Sequence, residues 1–325
     1  MYLQHDNPSS GEERVAVGIS SCLLGEAVRF DGGHKRNSYI TETLSRYFDF
    51  VPVCPEVGIG LGTPRKALRL VGCVKQPRAM VNGSSGNDVT EALTEYGARM
   101  ATDLAHLRGY IFKKASPSCG MERVKVYDRN NVPEKAAIGI YAHALMRALP
   151  LLPVEEEGRL TDPLLREQFI ERVYVYHRWL TMVSEGLTAR MLVEFHSAHK
   201  LLIMAHSQEH YRRLGQLVAR AGRDDLTALA QCYISELMQA LKQRGTRKRH
   251  ANVLHHLSGY FKRHLTGSDK LELNALIDAY RLGHIPLVVP ITLIRHYLRR
   301  FPNAYVGLQY YLRPHPEPLG LRNSV

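Results

Sequence analysis

The sequence predicts an α/β protein in two parts: an N-terminal, Rossmann-like three-layer domain around a parallel sheet, then a mainly α-helical C-terminal domain. Three observations predict this. Over the first 150 residues, short β-branched or apolar runs alternate with helical patterns, as expected of parallel strands joined by crossover helices. After a stretch at 149–158 with two prolines and three successive glutamates, the pattern turns almost wholly helical. The length of 325 residues favours two cores over one. The expected domains are 1–153 and 154–325.

Taken in order, 15–20 (VAVGIS) reads as a buried strand, 40–48 as a helix and 50–53 as a second strand. A helix over 89–104 follows, with Asn87 or Asp88 as its N-cap, and then a third strand at 107–113. The 149–158 segment is the expected hinge. Beyond it, Asp162 caps a helix that begins with Pro163 and continues over 164–183. Further helices are expected at 189–214, 224–242, 247–265 and 270–282. The tail after Gly283 holds six prolines and is expected to strap across the surface.

Composition narrows the class. With 45% hydrophobic and 23% charged residues the chain is neither disordered nor of low complexity. Its longest apolar run, from Ile285, is broken by Pro286 and Pro290, so no membrane span is expected. The opening MYLQHDNPSSGEER has no basic start followed by an apolar stretch. A cytoplasmic location is therefore expected. Five widely spaced cysteines argue against a disulfide framework.

The net charge of +12 is uneven: residues 1–190 carry 24 basic and 22 acidic side chains, residues 191–325 carry 19 and 9. That distribution points to a polyanion surface in the C-terminal half, although any single basic run can equally be a solvated helix face. Candidate nucleic-acid contacts are Lys200, Arg212, Arg213, Arg247, Lys248 and Arg249. On the helix over 189–214, His196, His199, His206 and His210 fall within roughly 80° of arc at the helical step. They read as a polar face, solvated or touching phosphate. Trp179, near Tyr174 and Tyr176, reads as core rather than as a stacking platform.

Cys22, Cys54 and Cys119 each follow one of the three expected strands. In a parallel sheet the loops after the strands share one edge, so three thiols distant in sequence converge there. Such a set suits a soft metal or an iron–sulfur cluster, whereas structural zinc would call for C-x-x-C knuckles that are lacking. Each cysteine alone also reads as a small buried apolar residue. Cys73 and Cys232 are expected to be structural. Gly58-Ile-Gly-Leu-Gly62 lacks the features of a nucleotide-binding loop.

The phrases Gly18-Ile-Ser-Ser-Cys-Leu-Leu-Gly25, Arg29-Phe-Asp-Gly32, Cys54-Pro-Glu-Val57, Thr63-Pro-Arg65 and Ser116-Pro-Ser-Cys-Gly120 resemble the TudS-type thiouracil desulfidase family over residues 15 to about 160. The helical remainder, with FHSAHKLLIMAH at 195–206, resembles the YbgA-like domain fused to such modules. The fused arrangement is similar to RudS-type desulfidases of 4-thiouridine in RNA. The resemblance implies a 4Fe-4S cluster held by Cys22, Cys54 and Cys119, its fourth iron open to the substrate sulfur. Many stand-alone members have a further cysteine where this chain has Val28, which reads as dispensable.

The expected reaction is hydrolytic and non-redox, converting 4-thiouridine in tRNA to uridine and hydrosulfide. Glu56 is the candidate base for the attacking water and Ser116 the group that handles a proton at the base ring. The alternatives are a helix-capping Glu56 and a turn-forming Ser116. Ser20, Arg29, Asp31, Arg65 and Lys113 are the candidate substrate contacts, with Lys114 nearby. Two other functions remain open: desulfidation of free thiouracil or small thiolated nucleosides and nucleotides, and a non-catalytic iron–sulfur RNA binder or sensor. Oligomeric state is not legible.

Overall fold

The computed structural model describes residues 14–83 and 87–323. The N-terminal stretch read for a leader lies largely outside them. The chain forms two compact units that part between Leu165 and Arg166.

In the first unit, β1 (Val15–Ser20), β2 (Phe48–Val53), β5 (Gly109–Phe112) and β8 (Val154–Glu156) form a parallel sheet in the order β2-β1-β5-β8. Val17, Ile19, Ile111 and Phe112 are fully buried, as near-continuous apolar runs in a parallel sheet should be. Flanking helices include α2 (Thr90–Asp103) and α3 (Ile140–Ala148); the short α1 (Pro55–Gly58) follows β2 directly. The helix expected at 40–48 is only a π turn at Tyr39–Thr43 and a 3₁₀ turn at Leu44–Arg46, because Phe48 already belongs to β2.

A second sheet departs from the sequence reading. It has the order β4-β3-β6-β7 and is built from β3 (Leu68–Cys73), β4 (Gln76–Val81), β6 (Val124–Tyr127) and β7 (Pro133–Ala137). β3 and β4 make an antiparallel hairpin, and β6 runs parallel to β3.

The 149–158 stretch also differs from expectation. In place of a hinge it supplies β8, paired in parallel with β5 from Tyr110↔Val154 to Phe112↔Glu156. Glu155, Glu156 and Glu157 are buried. Buried carboxylates persist only with partners, and all three have them, as described below.

In the second unit, α4 (Pro163–Ser184), α5 (Ala189–His206), α6 (Gln208–Val218), α7 (Leu226–Lys242), α8 (Arg247–Tyr260) and α9 (Gly267–Leu282) match the expected helices with one division. The 189–214 helix breaks at Ser207, whose extended backbone starts a new helix and whose hydroxyl accepts from the His210 N–H. The tail holds α10 (Val288–Arg300) and the short α11 (Ala304–Gly307), so it is not all strap; Pro290 lies in the first turn of α10, where its missing N–H has no intrahelical partner to lose.

The histidine face is not a solvent face. His196, His199, His206 and His210 are all buried, His199 completely. His206 Nε2 lies 2.6 Å from Glu171 Oε1, and Arg322 reaches Glu167 at 3.0 Å and Glu171 at 3.5 Å. Trp179 stacks on Tyr233, their centroids 5.5 Å apart, within the core. Among the described residues no helix is long and apolar enough to cross a membrane.

Candidate active site

The loops after β1, β2 and β5 meet at one cleft of about 280 Å³ in the first unit. Cys22, Cys54 and Cys119 all line it, one from each loop, as topology alone requires of strand ends on one edge. Cys22 and Cys119 are buried and Cys54 half-buried. Burial raises the pKa of each thiol: Cys22 is pushed up to about 11 against the pull of Lys113, Cys54 is raised, and Cys119 is raised further, with the nearby Glu56 charge adding to burial. The Cys54 thiol lies 3.8 Å from the Val28 carbonyl oxygen. Cys73 and Cys232 are exposed, so neither is the buried structural thiol expected.

Glu56, in α1, sits between two partners. Its Oε2 accepts from Arg65 Nε at 2.9 Å and a terminal Arg65 nitrogen at 2.7 Å, and its Oε1 accepts from the Ser118 hydroxyl at 2.5 Å. The Arg65 side chain is only 6% exposed and also donates to the Gly62 carbonyl and the Thr63 hydroxyl. Arg65 lines the cleft, and its donors are engaged within the protein, where it orients Glu56. Two guanidinium N–H groups converging on one carboxylate oxygen, with a hydroxyl on the other, fix direction as well as charge.

Ser116 accepts from the backbone N–H groups of Ser118 and Cys119 at 3.3 and 3.1 Å, which shapes the turn presenting Cys119. Its hydroxyl is 3.2 Å from that of Ser118. Because Ser118 donates to Glu56, Ser116 is the donor in that pair, and the hydroxyls run in series from Ser116 through Ser118 to Glu56. The loop is pinned by α3, where Ile140 and Ala142 N–H donate to the Pro117 and Ser118 carbonyls. Only glycine fits at position 139, since a Cβ there would lie 2.6 Å from Ser118 backbone.

The other expected contacts divide. Ser20, 2% exposed, lines the cleft and accepts from the Lys113 N–H at 3.0 Å. Lys113 lines it too, but its ammonium is held by Glu157 at 2.5 Å. Arg29 lines it, with Asp31 at 3.4 Å. Asp31 itself is exposed, accepts from Gly33 N–H and buttresses Arg29 from outside the lining. Lys35 and Lys114 also line the cleft and make no ion pair among the described residues. Sequence reasoning missed Ser118, Glu157, Lys35 and Phe30, a 39% exposed ring in the lining. Only Phe30 and Ser118 carried a signal, inside the quoted phrases.

The glutamates at 155–157 tie down the loop between β5 and β6. Glu155 pairs with Arg159 at 2.6 Å, Glu156 accepts from Met121 N–H at 2.7 Å, and Glu157 accepts from the Lys113 ammonium and the Lys114 N–H. Among the expected nucleic-acid contacts, Arg212, Arg247 and Lys248 are exposed. Arg213 pairs with Glu209 at 2.6 Å on an exposed helix face, whereas Arg249 donates to the His206 carbonyl at 2.6 Å and so serves the internal scaffold.

Residues 17–157 match the model of the 2-thiouracil desulfurase family, and residues 200–316 that of a protein family of unknown function, DUF1722. The uncharacterized protein YbgA of Escherichia coli (strain K12) is 35% identical over 154 residues, which are 47% of this chain and 91% of that protein. A solved structure described as a [4Fe-4S]-dependent thiouracil desulfidase, TudS, is 30% identical, with a TM-score of 0.35, covering 46% of this chain and 95% of that one.

Proposed function

We propose, from the premise that this chain belongs to the 2-thiouracil desulfurase family over its sheet unit and to the YbgA-like DUF1722 family over its helical unit, that it is an iron–sulfur desulfidase of 4-thiouridine in tRNA. The observation that carries the reading is the meeting of Cys22, Cys54 and Cys119 in the same cleft as Glu56 and Ser116.

The donor set fits a cluster. Three thiols line one cleft, and burial there disfavours bare thiolates, so a cationic partner is what would hold them ionised. Three thiolates are the donor type that an iron–sulfur cluster takes. Cys22, Cys54 and Cys119 would hold it. When bound, a cluster with one iron free of protein sulfur supplies a soft Lewis acid for the departing sulfur.

The side chains do the rest. Glu56 accepts a proton from the water that attacks the carbon bearing sulfur, and Arg65 keeps its carboxylate aimed. The Ser116 hydroxyl faces the base ring and exchanges protons with Glu56 through Ser118. Water's oxygen replaces sulfur, which leaves as hydrosulfide with one proton; no electrons are exchanged. Arg29, Lys35 and Lys114 give the mouth a positive charge suited to an anionic nucleotide.

Support for a polymeric substrate comes from the charge: the helical half carries most of the +12. The test is nucleoside mass analysis and sulfide assay after anaerobic, iron-reconstituted full-length protein meets thiolated tRNA. Loss of 4-thiouridine with sulfide in excess of protein is expected, with binding that weakens steeply with salt. Equal, salt-independent rates on tRNA and free 4-thiouracil would remove the RNA part of the reading. No sulfide beyond the cluster's own content would remove the enzyme.

A further inference from the structure

Four half-exposed or exposed aromatic rings gather in two adjoining pairs on the helical unit. Tyr260, at the end of α8 and 44% exposed, lies with its ring centroid 5.3 Å from that of Tyr305 in α11. Elsewhere in the same unit, Lys200 of α5 sits over the Tyr211 ring of α6 at 5.9 Å. One turn along the segments of Tyr260 and Tyr305, His264 stacks on Phe301 at 5.1 Å, with the Arg300 guanidinium over Phe301 at 5.3 Å. Two ring pairs formed between residues 260–264 and 301–305 are necessarily neighbours. The result is a strip of flat π faces interleaved with cations. Lys262 and Arg263 are exposed in the same turn, and Leu308 beyond Tyr305 is 66% exposed.

Core packing does not call for this arrangement, since these rings leave area in water that burial would favour removing. A strip of alternating rings and cations has the chemistry of a single-stranded nucleic-acid track: every base has a π face to stack, and every linkage a phosphate. We infer that this strip binds an unpaired segment of the RNA substrate, its bases stacking on Tyr260, Tyr305 and Phe301 and its phosphates meeting Arg300. The inference rests on the RNA reading above and gives it a location apart from the basic run at 242–250, where Arg249 is tied to backbone.

The test measures binding by full-length protein of a fluorescein-labelled single-stranded oligouridine, an A-form RNA duplex and a tRNA. Tyr260→Leu and Tyr305→Leu keep an apolar side chain but lose the flat ring. Each should weaken oligouridine binding roughly 5- to 150-fold, the worth of one stacked base. Tyr260→Phe and Tyr305→Phe should bind as wild type, and duplex binding should be unchanged throughout. Trp179 emission reports that the unit remains folded. Wild-type protein that binds tRNA but not oligouridine, or leucine variants that bind oligouridine as wild type does, would overturn the strip and leave the RNA reading standing. Failure of wild type to bind any of the three RNAs would overturn both.

Discussion

Lowering the pH from about 7.5 to about 5 should cost the helical unit much of its stability, because several of its histidines are buried neutral. Burial, assisted by the nearby charge of Lys200, lowers His196 to about 4. Burial with Arg178 lowers His199 to about 3; burial with Arg322 lowers His250 to about 3 and His315 to about 4. His199 shows why: its Nδ1 donates to the Phe195 carbonyl at 2.8 Å, and its Nε2 is sealed with no partner, so a second proton has nowhere to be solvated. The unfolded chain takes up these protons near pH 6.5 and the folded one does not. Stability is therefore whole above that pH and falls as pH drops below it. At about pH 5 the gap of about 1.5 units is worth about 2 kcal/mol per histidine, and about 8 kcal/mol for four is an upper bound against a typical total of roughly 5–15. His206 opposes the trend: its pKa is raised, since Glu171 outweighs the effect of burial, so its contribution is present at low pH and lost as pH rises through its folded value. The assay is urea unfolding followed by Trp179, the sole tryptophan, which reports this unit alone. His199→Leu should reduce the loss between the two pH values by about 2 kcal/mol. A midpoint that does not move over that range would refute the reasoning.

Two further predictions concern the cleft. Arg65→Met leaves the Glu56 carboxylate without its guanidinium; a loss of about 3–5 kcal/mol in stability is expected in thermal or urea unfolding, together with loss of sulfide release. Ser118→Ala removes the hydroxyl between Ser116 and Glu56; a fall in turnover of about ten- to a hundredfold, with iron content unchanged, is expected from the loss of a charge-assisted hydrogen bond worth about 1.5–3 kcal/mol.

What the sequence made legible follows from how each signal arises. β1, β2 and β5 are buried apolar runs, and the three cysteines follow from them because parallel strands share an exit edge. β7 was invisible: four of its five residues are exposed, and Pro-Glu-Lys-Ala-Ala has neither alternation nor β-branching. β8 was hidden by its glutamates, whose burial depends on Lys113, Arg159 and backbone N–H groups far away in sequence. The histidine arc holds only for His196, His199 and His206, since the break at Ser207 puts His210 on α6; and α5 is buried nearly all round in its second half, so an arc of imidazoles says nothing of water. The grip of Arg65 on Glu56 was equally out of reach, since a sequence cannot show that a carboxylate nine residues earlier engages its donors.

The strand β8 has a practical consequence for anyone who wishes to study the sheet unit alone. A truncation after Pro153 would respect the proline boundary and yet delete the edge strand, stripping Lys113 of its counter-ion and the Met121 amide of its acceptor. The cleft would then be left with unopposed positive charge and an untethered loop between β5 and β6, and its failure would be mistaken for dependence on the helical unit. A truncation ending at Leu165 keeps Glu155, Glu156, Glu157 and the Arg159 that pairs with Glu155, so any activity it loses can be assigned to the missing helices themselves.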